Sequence, residues 1–121
     1  MANRILIADD SPLMRRQIRA ILERDPDIQV CAEAENGVEA LQQVQKYRPD
    51  LVVLDLRMPV MNGLAATQEI KKVAPEVTVL LYTLYDSPQI ELESKRAGAD
   101  ALVAKTAATN QLQKVIHSLL G

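Results

Sequence analysis

The sequence predicts a doubly wound α/β fold, in which helices cover both faces of a five-stranded parallel sheet. Short, nearly continuous apolar runs alternate five times with amphipathic stretches, and such runs are typical of strands covered on both faces. Strand–helix alternation with short connections implies right-handed crossovers and therefore a parallel sheet. The 121 residues suit one domain, which we place at 1–121.

The five apolar runs are the predicted strands. The chain has no Trp or Phe and only three Tyr, so its core must be built from Leu, Ile, Val, Ala and Met. The runs are Arg4–Ala8, Ile28–Ala34, Leu51–Leu56, Val77–Tyr82 and Ala101–Ala104.

Helix signals occupy the stretches between these runs. Ser11 and Ser87 are each followed by proline, the pattern of an N-cap and a first helical residue. Asn36 with Glu39 three residues later resembles a capping box. The predicted apolar stripes are Leu13, Ile18, Ile21 and Leu22; Leu41 and Val44; Ala66, Ile70 and Val73; Ile90 and Ala97; and Leu112, Val115, Ile116, Leu119 and Leu120.

Composition argues against several classes of function. The chain has 14 basic and 16 acidic residues, so it lacks the basic excess of a nucleic-acid or membrane binder. No apolar stretch approaches the roughly 18 residues of a spanning helix, and the N-terminus lacks the apolar region of a signal peptide. We therefore predict a cytoplasmic protein, in which the single cysteine, Cys31, is a packed thiol.

Polar residues lie at the carboxyl ends of four of the predicted strands. Asp9 and Asp10 end the first strand, Asp55 the third, Thr83 the fourth and Lys105 the fifth. Ligands of open α/β sheets bind beyond the carboxyl ends of the strands. Three neighbouring carboxylates repel one another unless a cation lies among them, and oxygen ligands favour Mg²⁺. A carboxylate beside Mg²⁺ can accept a phosphoryl group, while the amine and the hydroxyl stabilise the transferring oxygens.

Four segments resemble a known family. They are Asp9-Asp10 after ILIA, the DLRMPVMNG run at 55–63, Leu81-Tyr82-Thr83 and Lys105. With these segments the chain resembles the CheY-like receiver domains of two-component response regulators along essentially its whole length. The resemblance implies a flavodoxin-like (βα)5 sandwich with strand order 2-1-3-4-5.

The resemblance also implies a role for each polar residue. Asp55 matches the phosphoacceptor, Thr83 the switch hydroxyl and Lys105 the lysine that holds the phosphoryl group. The implied Mg²⁺ site consists of Asp10 as a direct ligand, Asp9 acting mainly through bound water, Asp55 and the backbone carbonyl of Arg57.

The resemblance further implies partners. Receivers take their phosphoryl group from a histidine kinase or phosphotransfer protein, or from small acyl phosphates, and catalyse the transfer themselves without being classical enzymes. Lys105-Thr106-Ala107 resembles receivers joined to LuxR-type helix-turn-helix outputs, which implies control of transcription through a C-terminal DNA-binding domain absent from this sequence. A stand-alone receiver is the open alternative, and a homodimer is possible in either case.

Several positions depart from the family pattern. Leu102 stands where receivers usually carry Tyr or Phe, so the phosphorylated state could be transmitted differently. Thr106 replaces a proline that follows a cis bond, and a cis bond without proline costs about 2.5–4 kcal/mol, so we predict a trans bond after Lys105. We hypothesise that Tyr85 shields the phosphoryl group from water and that Arg57 adds charge beside the metal. The alternatives are a packed loop aromatic and a solvated loop charge.

Other functions fit the residues less well. A phosphatase of the haloacid dehalogenase type needs a second acid two residues after its nucleophile, where this chain has Arg57. An FMN binder needs a Gly/Ser/Thr-rich phosphate loop after the first strand, and DDSPLM offers none. A receiver-like interaction module that is never phosphorylated remains the alternative. The remaining predictions are a surface position for His117, loop packing for Met58 and Met61, and a solvated helix face for Arg15, Arg16 and Arg19, with contact to an acidic partner as the alternative for the arginines.

Overall fold

A computed structural model describes residues 2–84, 86–108 and 110–121. Its strands form one parallel sheet in the order β2-β1-β3-β4-β5, with five helices between and after them. The predicted fold class and strand order are therefore confirmed. In chain order the elements are β1 (Asn3–Ala8), α1 (Pro12–Glu23), β2 (Ile28–Ala34), α2 (Gly37–Tyr47), β3 (Leu51–Leu54), α3 (Gly63–Val73), β4 (Thr78–Thr83), α4 (Pro88–Ala97), β5 (Ala101–Ala104) and α5 (Gln111–Leu120).

Two apolar layers cover the sheet, one on each face. Successive side chains of a strand point to opposite faces, so Leu6 and Ala8 of β1 enter one layer while Ile5 and Ile7 enter the other. This division explains why the strand sequences are continuously apolar. One layer adds Ala40, Val44, Ala66 and Ile70 from α2 and α3, and the other adds Ile18, Leu22, Leu112 and Ile116 from α1 and α5.

Three helix starts have the predicted caps. The Ser11 hydroxyl accepts a hydrogen bond from the Met14 N–H at 3.1 Å, and Ser87 accepts one from the Ile90 N–H at 3.1 Å. Asn36 accepts from the N–H three residues later at 2.8 Å. These bonds satisfy N–H groups that have no partner within the helix.

Some element boundaries and stripe positions were predicted wrongly. β3 ends at Leu54, so Asp55 begins a loop, and Leu56 is buried in that loop rather than in a strand. Leu13 and Val73 are 60% and 41% exposed. Leu13 lies in the first turn of α1 beside Met14, which packs against the core, and Val73 lies in the last turn of α3 beside the buried Ala74. Their exposure therefore reflects the side of the helix on which each lies.

The other chain-wide expectations have simple outcomes. Every peptide bond among the described residues is trans, as predicted for the bond after Lys105. Cys31 is a half-buried free thiol, and burial raises its pKa. Within the described ranges no helix has both the length and the apolar character needed to cross a membrane.

Candidate functional site

The carboxyl end of the sheet holds a cluster of three carboxylates. Asp9 and Asp10 follow β1 and Asp55 follows β3, the neighbouring strand, and one oxygen from each lies within 4.8 Å of the others. The cluster borders a cleft of about 270 Å³. The described residues that line the cleft are Asp9, Asp10, Ser11, Met14, Asp55, Arg57, Leu84 and Lys105.

Asp9 is the most rigidly held member of the cluster. It is 1% exposed, and its backbone N–H donates to the Ala34 carbonyl at 3.0 Å. Its Oδ1 accepts from the Ser11 N–H at 2.9 Å, and its Oδ2 accepts from Lys105 Nζ at 2.8 Å. Its carbonyl oxygen accepts from Arg15 Nη1 at 2.6 Å. Each polar atom of Asp9 therefore has a fixed partner.

Asp55 is buried beside Asp9 and is 9% exposed. Its Oδ1 accepts from the Leu56 N–H at 2.8 Å and lies 3.5 Å from Lys105 Nζ. Burial raises the pKa of Asp55, and the charge of Asp9 raises it further, while the Lys105 ammonium and the Leu56 N–H act in the opposite direction. The charged form of Asp55 is thus held in an unfavourable environment.

Two glycines hold the loop that follows Asp55. A Cβ atom on Gly63 would lie 2.2 Å from the Asp55 carbonyl oxygen, so only glycine lets α3 begin so close to that backbone. The Gly63 N–H also donates to the Leu56 carbonyl at 2.8 Å. On the other side, Gly37 donates to the Met61 carbonyl at 2.9 Å, and a Cβ atom there would lie 2.4 Å from the same oxygen.

The tip of this loop is a tight turn around Val60. The Met61 N–H donates to the Pro59 carbonyl at 2.7 Å, and Val60 has a φ of 69°. A β-branched residue in the left-handed region is strained by roughly 1–3 kcal/mol. Val60 is 82% exposed, whereas Met58 is buried and Met61 packs against the core, as predicted for the two methionines.

The remaining predicted site residues lie at different distances from the cleft. Thr83 is fully buried at the end of β4, and its carbonyl accepts from the Lys105 N–H at 2.8 Å, but it is not among the described lining residues. Arg57 is exposed and lines the cleft. Tyr85 lies outside the described residues. Leu102 is half-buried and packs against the core layer of α2 and α3.

The prediction that Arg15 and Arg19 form a solvated helix face is wrong. Arg15 Nε lies 3.1 Å from Glu33 Oε1, and Arg19 Nη2 lies 2.8 Å from Glu33 Oε2. Both arginines follow Ser11 at intervals of four residues, a spacing that places them on one helix face and that could have indicated a shared partner. Arg16 is exposed, as predicted. His117 is also exposed and pairs with Asp25 away from the cleft.

The donor set fits a hard divalent cation. Three carboxylates converge, and the ammonium of Lys105 cannot neutralise all of them. Asp10 is exposed and keeps one side of the cluster open to water, which suits Mg²⁺ because this ion retains several waters when it binds carboxylates. Asp9, Asp10 and Asp55 are therefore the described residues able to hold such an ion.

Comparisons with known proteins agree on one family. The sequence model described as "Response regulator receiver domain" matches residues 5–117. The chemotaxis protein CheY of Halobacterium salinarum is 35% identical over 120 residues, covering 99% of this chain and 98% of that protein. The crystal structure of a LuxR-family two-component response regulator from Aurantimonas sp. SI85-9A1 has a TM-score of 0.96 at 32% identity, covering 99% of this chain and 86% of that one.

Other relatives are much longer than this chain. The protein-glutamate methylesterase/protein-glutamine glutaminase of Methanococcoides burtonii is 38% identical over 116 residues, which are 95% of this chain but 33% of that protein. A similar enzyme of Pyrococcus abyssi is 51% identical over 59 residues, which are 49% of this chain and 16% of that protein. The chain thus spans a third or less of these methylesterases.

Proposed function

The chain belongs to the response regulator receiver domains of two-component systems, and on that premise we propose that it accepts a phosphoryl group on Asp55 in a Mg²⁺-dependent reaction. The observation that carries the proposal is the arrangement around Asp55. Its buried carboxylate has Asp9 and Asp10 oxygens within 4.8 Å and Lys105 Nζ at 3.5 Å from Oδ1. We assign the whole of 1–121 to this one domain.

Receiver domains bind Mg²⁺ through an acidic pocket, and the carboxylate cluster is the corresponding feature here. Asp10 and Asp55 would hold the ion directly, Asp9 mainly through water, and Arg57 through its backbone carbonyl. When bound, Mg²⁺ neutralises the clustered charge and withdraws negative charge from the oxygens of the transferring group.

Asp55, Lys105 and Thr83 have different roles in the transfer of the phosphoryl group. An oxygen of the Asp55 carboxylate bonds to phosphorus as the bond from phosphorus to the donor breaks, and the leaving group keeps that electron pair. The donor is a phosphohistidine of a sensor kinase or phosphotransfer protein, or a small acyl phosphate. Lys105 balances the added negative charge, and the Thr83 hydroxyl is the hydrogen-bond donor that reports the new group to the rest of the fold.

The output of the domain has two candidates. Similarity to a LuxR-family regulator and the Lys105-Thr106-Ala107 segment favour control of transcription through a separate DNA-binding domain. The identity of 38–51% to methylesterase sequences favours a chemotaxis-type receiver instead. We propose a cytoplasmic location with either output, and a homodimer is compatible with both. The alternative to phosphorylation itself is a receiver-like module that acts by binding alone.

Intact-protein mass spectrometry after incubation with acetyl phosphate and Mg²⁺ tests the proposal. We expect the wild type to gain one phosphoryl group, and EDTA or Asp55→Asn to abolish the gain. Asp86→Asn is the matched control, because Asp86 is an exposed acid in the loop between β4 and α4. If the folded wild type gains no mass from acetyl phosphate or from a phosphorylated histidine kinase, the binding-only module is the better assignment.

A further inference from the structure

We infer that Arg15 is a positioning residue for the carboxylate cluster, which it serves by fixing the peptide group that joins Asp9 to Asp10. The side chain of Arg15 is 17% exposed, and Nη1 donates to the Asp9 carbonyl at 2.6 Å. The inference rests on the proposed function in one respect, because it concerns the capacity of the cluster to bind Mg²⁺.

Glu33 holds the guanidinium in place. Its Oε1 accepts from Arg15 Nε at 3.1 Å, while its Oε2 pairs with Arg19 at 2.8 Å. Arg19 in turn pairs with Glu23 at 2.7 Å. The planar guanidinium of Arg15 therefore bridges β2 and the end of β1, with one nitrogen on the carboxylate and another on the backbone carbonyl.

This bridge acts on Asp10 through the backbone. The carbonyl of Asp9 and the N–H of Asp10 belong to one planar peptide group, so a fixed carbonyl oxygen also fixes the direction in which Asp10 leaves β1. Asp9 is buried and has further partners in Ser11 and Lys105, but Asp10 is exposed. The position of the Asp10 carboxylate in the cluster consequently depends on the direction of the backbone at Asp10.

Charge and positioning predict opposite effects of removing Arg15. A guanidinium near a cation site opposes cation binding through Coulomb repulsion. If Arg15 acted by charge alone, the wild type would therefore bind Mg²⁺ more weakly than Arg15→Ala. If Arg15 acts by positioning, Arg15→Ala should bind Mg²⁺ more weakly than the wild type, because the variant loses the alignment of Asp10. Loss of a group that orients a metal ligand typically costs about tenfold or more in affinity.

A Mg²⁺ titration of the ¹⁵N-labelled full chain distinguishes the two. The amide signals of Ser11 and Leu56 are suitable probes because these N–H groups donate to Asp9 Oδ1 and Asp55 Oδ1. We expect Arg15→Ala to raise the Kd for Mg²⁺ about tenfold. Arg19→Ala removes the same charge and likewise takes one arginine away from Glu33. It is expected to leave the Kd within about twofold of the wild type, a charge-only effect in a screened site.

An unchanged or lower Kd for Arg15→Ala would overturn the inference. Failure of the wild type to bind Mg²⁺ would instead overturn the proposed function, so the two failures are distinguishable. Urea denaturation of each variant checks that it is folded. If Arg15→Ala is not folded, Glu33→Gln replaces it, since it keeps the shape of the anchor and removes its charge. We then expect weaker Mg²⁺ binding than in Arg19→Ala, and equal binding would overturn the inference.

Discussion

The two ends of the sheet use the same residue types in opposite ways. At the amino end, Asp50 accepts from the Arg4 N–H at 2.7 Å. Asp100 there accepts from both the Val79 N–H and Lys71 Nζ at 2.8 Å. Each of these carboxylates thus bonds to the backbone of the neighbouring strand.

At the carboxyl end, the carboxylates of Asp9, Asp10 and Asp55 converge around Lys105. Two of them are buried, and burial raises the pKa of Asp55. The amino end therefore contributes stability by pairing each carboxylate with a donor on another segment, whereas the carboxyl end holds excess negative charge that a cation can relieve.

The largest expected difference between the ends is steric. Gly63→Ala at the carboxyl end places a methyl group 2.2 Å from the Asp55 carbonyl oxygen, and backbone must move to admit it. We expect a loss of about 3 kcal/mol in the free energy of unfolding, measured by urea denaturation. Gly98→Ala, nearer the amino end, meets only a flexible Lys71 side chain at 3.3 Å but has a φ of +100°. It should cost about 1–2 kcal/mol, and equal costs would contradict the close packing at Gly63.

The next effect concerns the amino end. Asp100→Asn removes a carboxylate that receives hydrogen bonds from Val79 and Lys71. We expect it to lower the free energy of unfolding by about 2 kcal/mol, because charge-assisted hydrogen bonds are stronger than neutral ones. Thermal and urea denaturation measure the loss. A neutral effect would show that this end does not depend on its carboxylates.

Mg²⁺ should stabilise the protein only through the carboxylate cluster at the carboxyl end of the sheet. At about ten times the Kd, a ligand of the folded state adds roughly 1.4 kcal/mol to the free energy of unfolding. We expect this gain in the wild type and in Asp100→Asn, and its reduction in Asp10→Asn. Differential scanning fluorimetry with and without MgCl2 provides the measurement, with CaCl2 as a comparison ion. Equal stabilisation of all three proteins would place the ion elsewhere.

The smallest expected effect is a gain of stability. In buffer free of divalent ions, Asp55→Asn should raise the free energy of unfolding at pH 7 by about 1 kcal/mol, because it removes a buried charge beside Asp9. The sign is opposite to that of Asp100→Asn.

This gain should depend on pH. Burial raises the pKa of Asp55 in the folded protein above its unfolded value, so the folded state binds the proton more tightly. Proton binding therefore stabilises the wild type fully below the unfolded pKa, and this contribution is lost as the pH rises through the folded pKa. The advantage of Asp55→Asn should accordingly disappear as the pH falls. A constant difference between pH 3 and 7 would contradict the raised pKa.

Much of the fold could be predicted from local patterns. The continuous apolar runs correspond to strands covered on both faces, and the caps at Ser11, Asn36 and Ser87 form as expected. Patterns failed where an apolar residue lies on the solvent side of its helix, as Leu13 does although the adjacent Met14 packs against the core. Hydrophobicity by itself does not say which side of a helix end faces the sheet.

The site was predictable in its residue types but not in its contacts. Polar residues after β1, β3 and β5 indicated the cluster, because parallel strands bring their carboxyl ends to one edge. The bond between Lys105 and Asp9 joins residues 96 positions apart, which follow strands that β3 and β4 separate in the sheet, so the long lysine side chain must reach across the carboxyl end. The role of Arg15 was missed because its carbonyl partner carries no side-chain signal.

The sequence by itself determined the alternation of strands and helices, the helix starts and the chemical character of each strand end. Those features depend on residues within a few positions of one another. Only the tertiary structure decided which carboxylates are buried and how Lys105 is shared between Asp9 and Asp55. It also decided that Arg15 and Glu33 pair with each other. These depend on distances between segments far apart in the chain, which are set by sheet order and close packing rather than by local pattern.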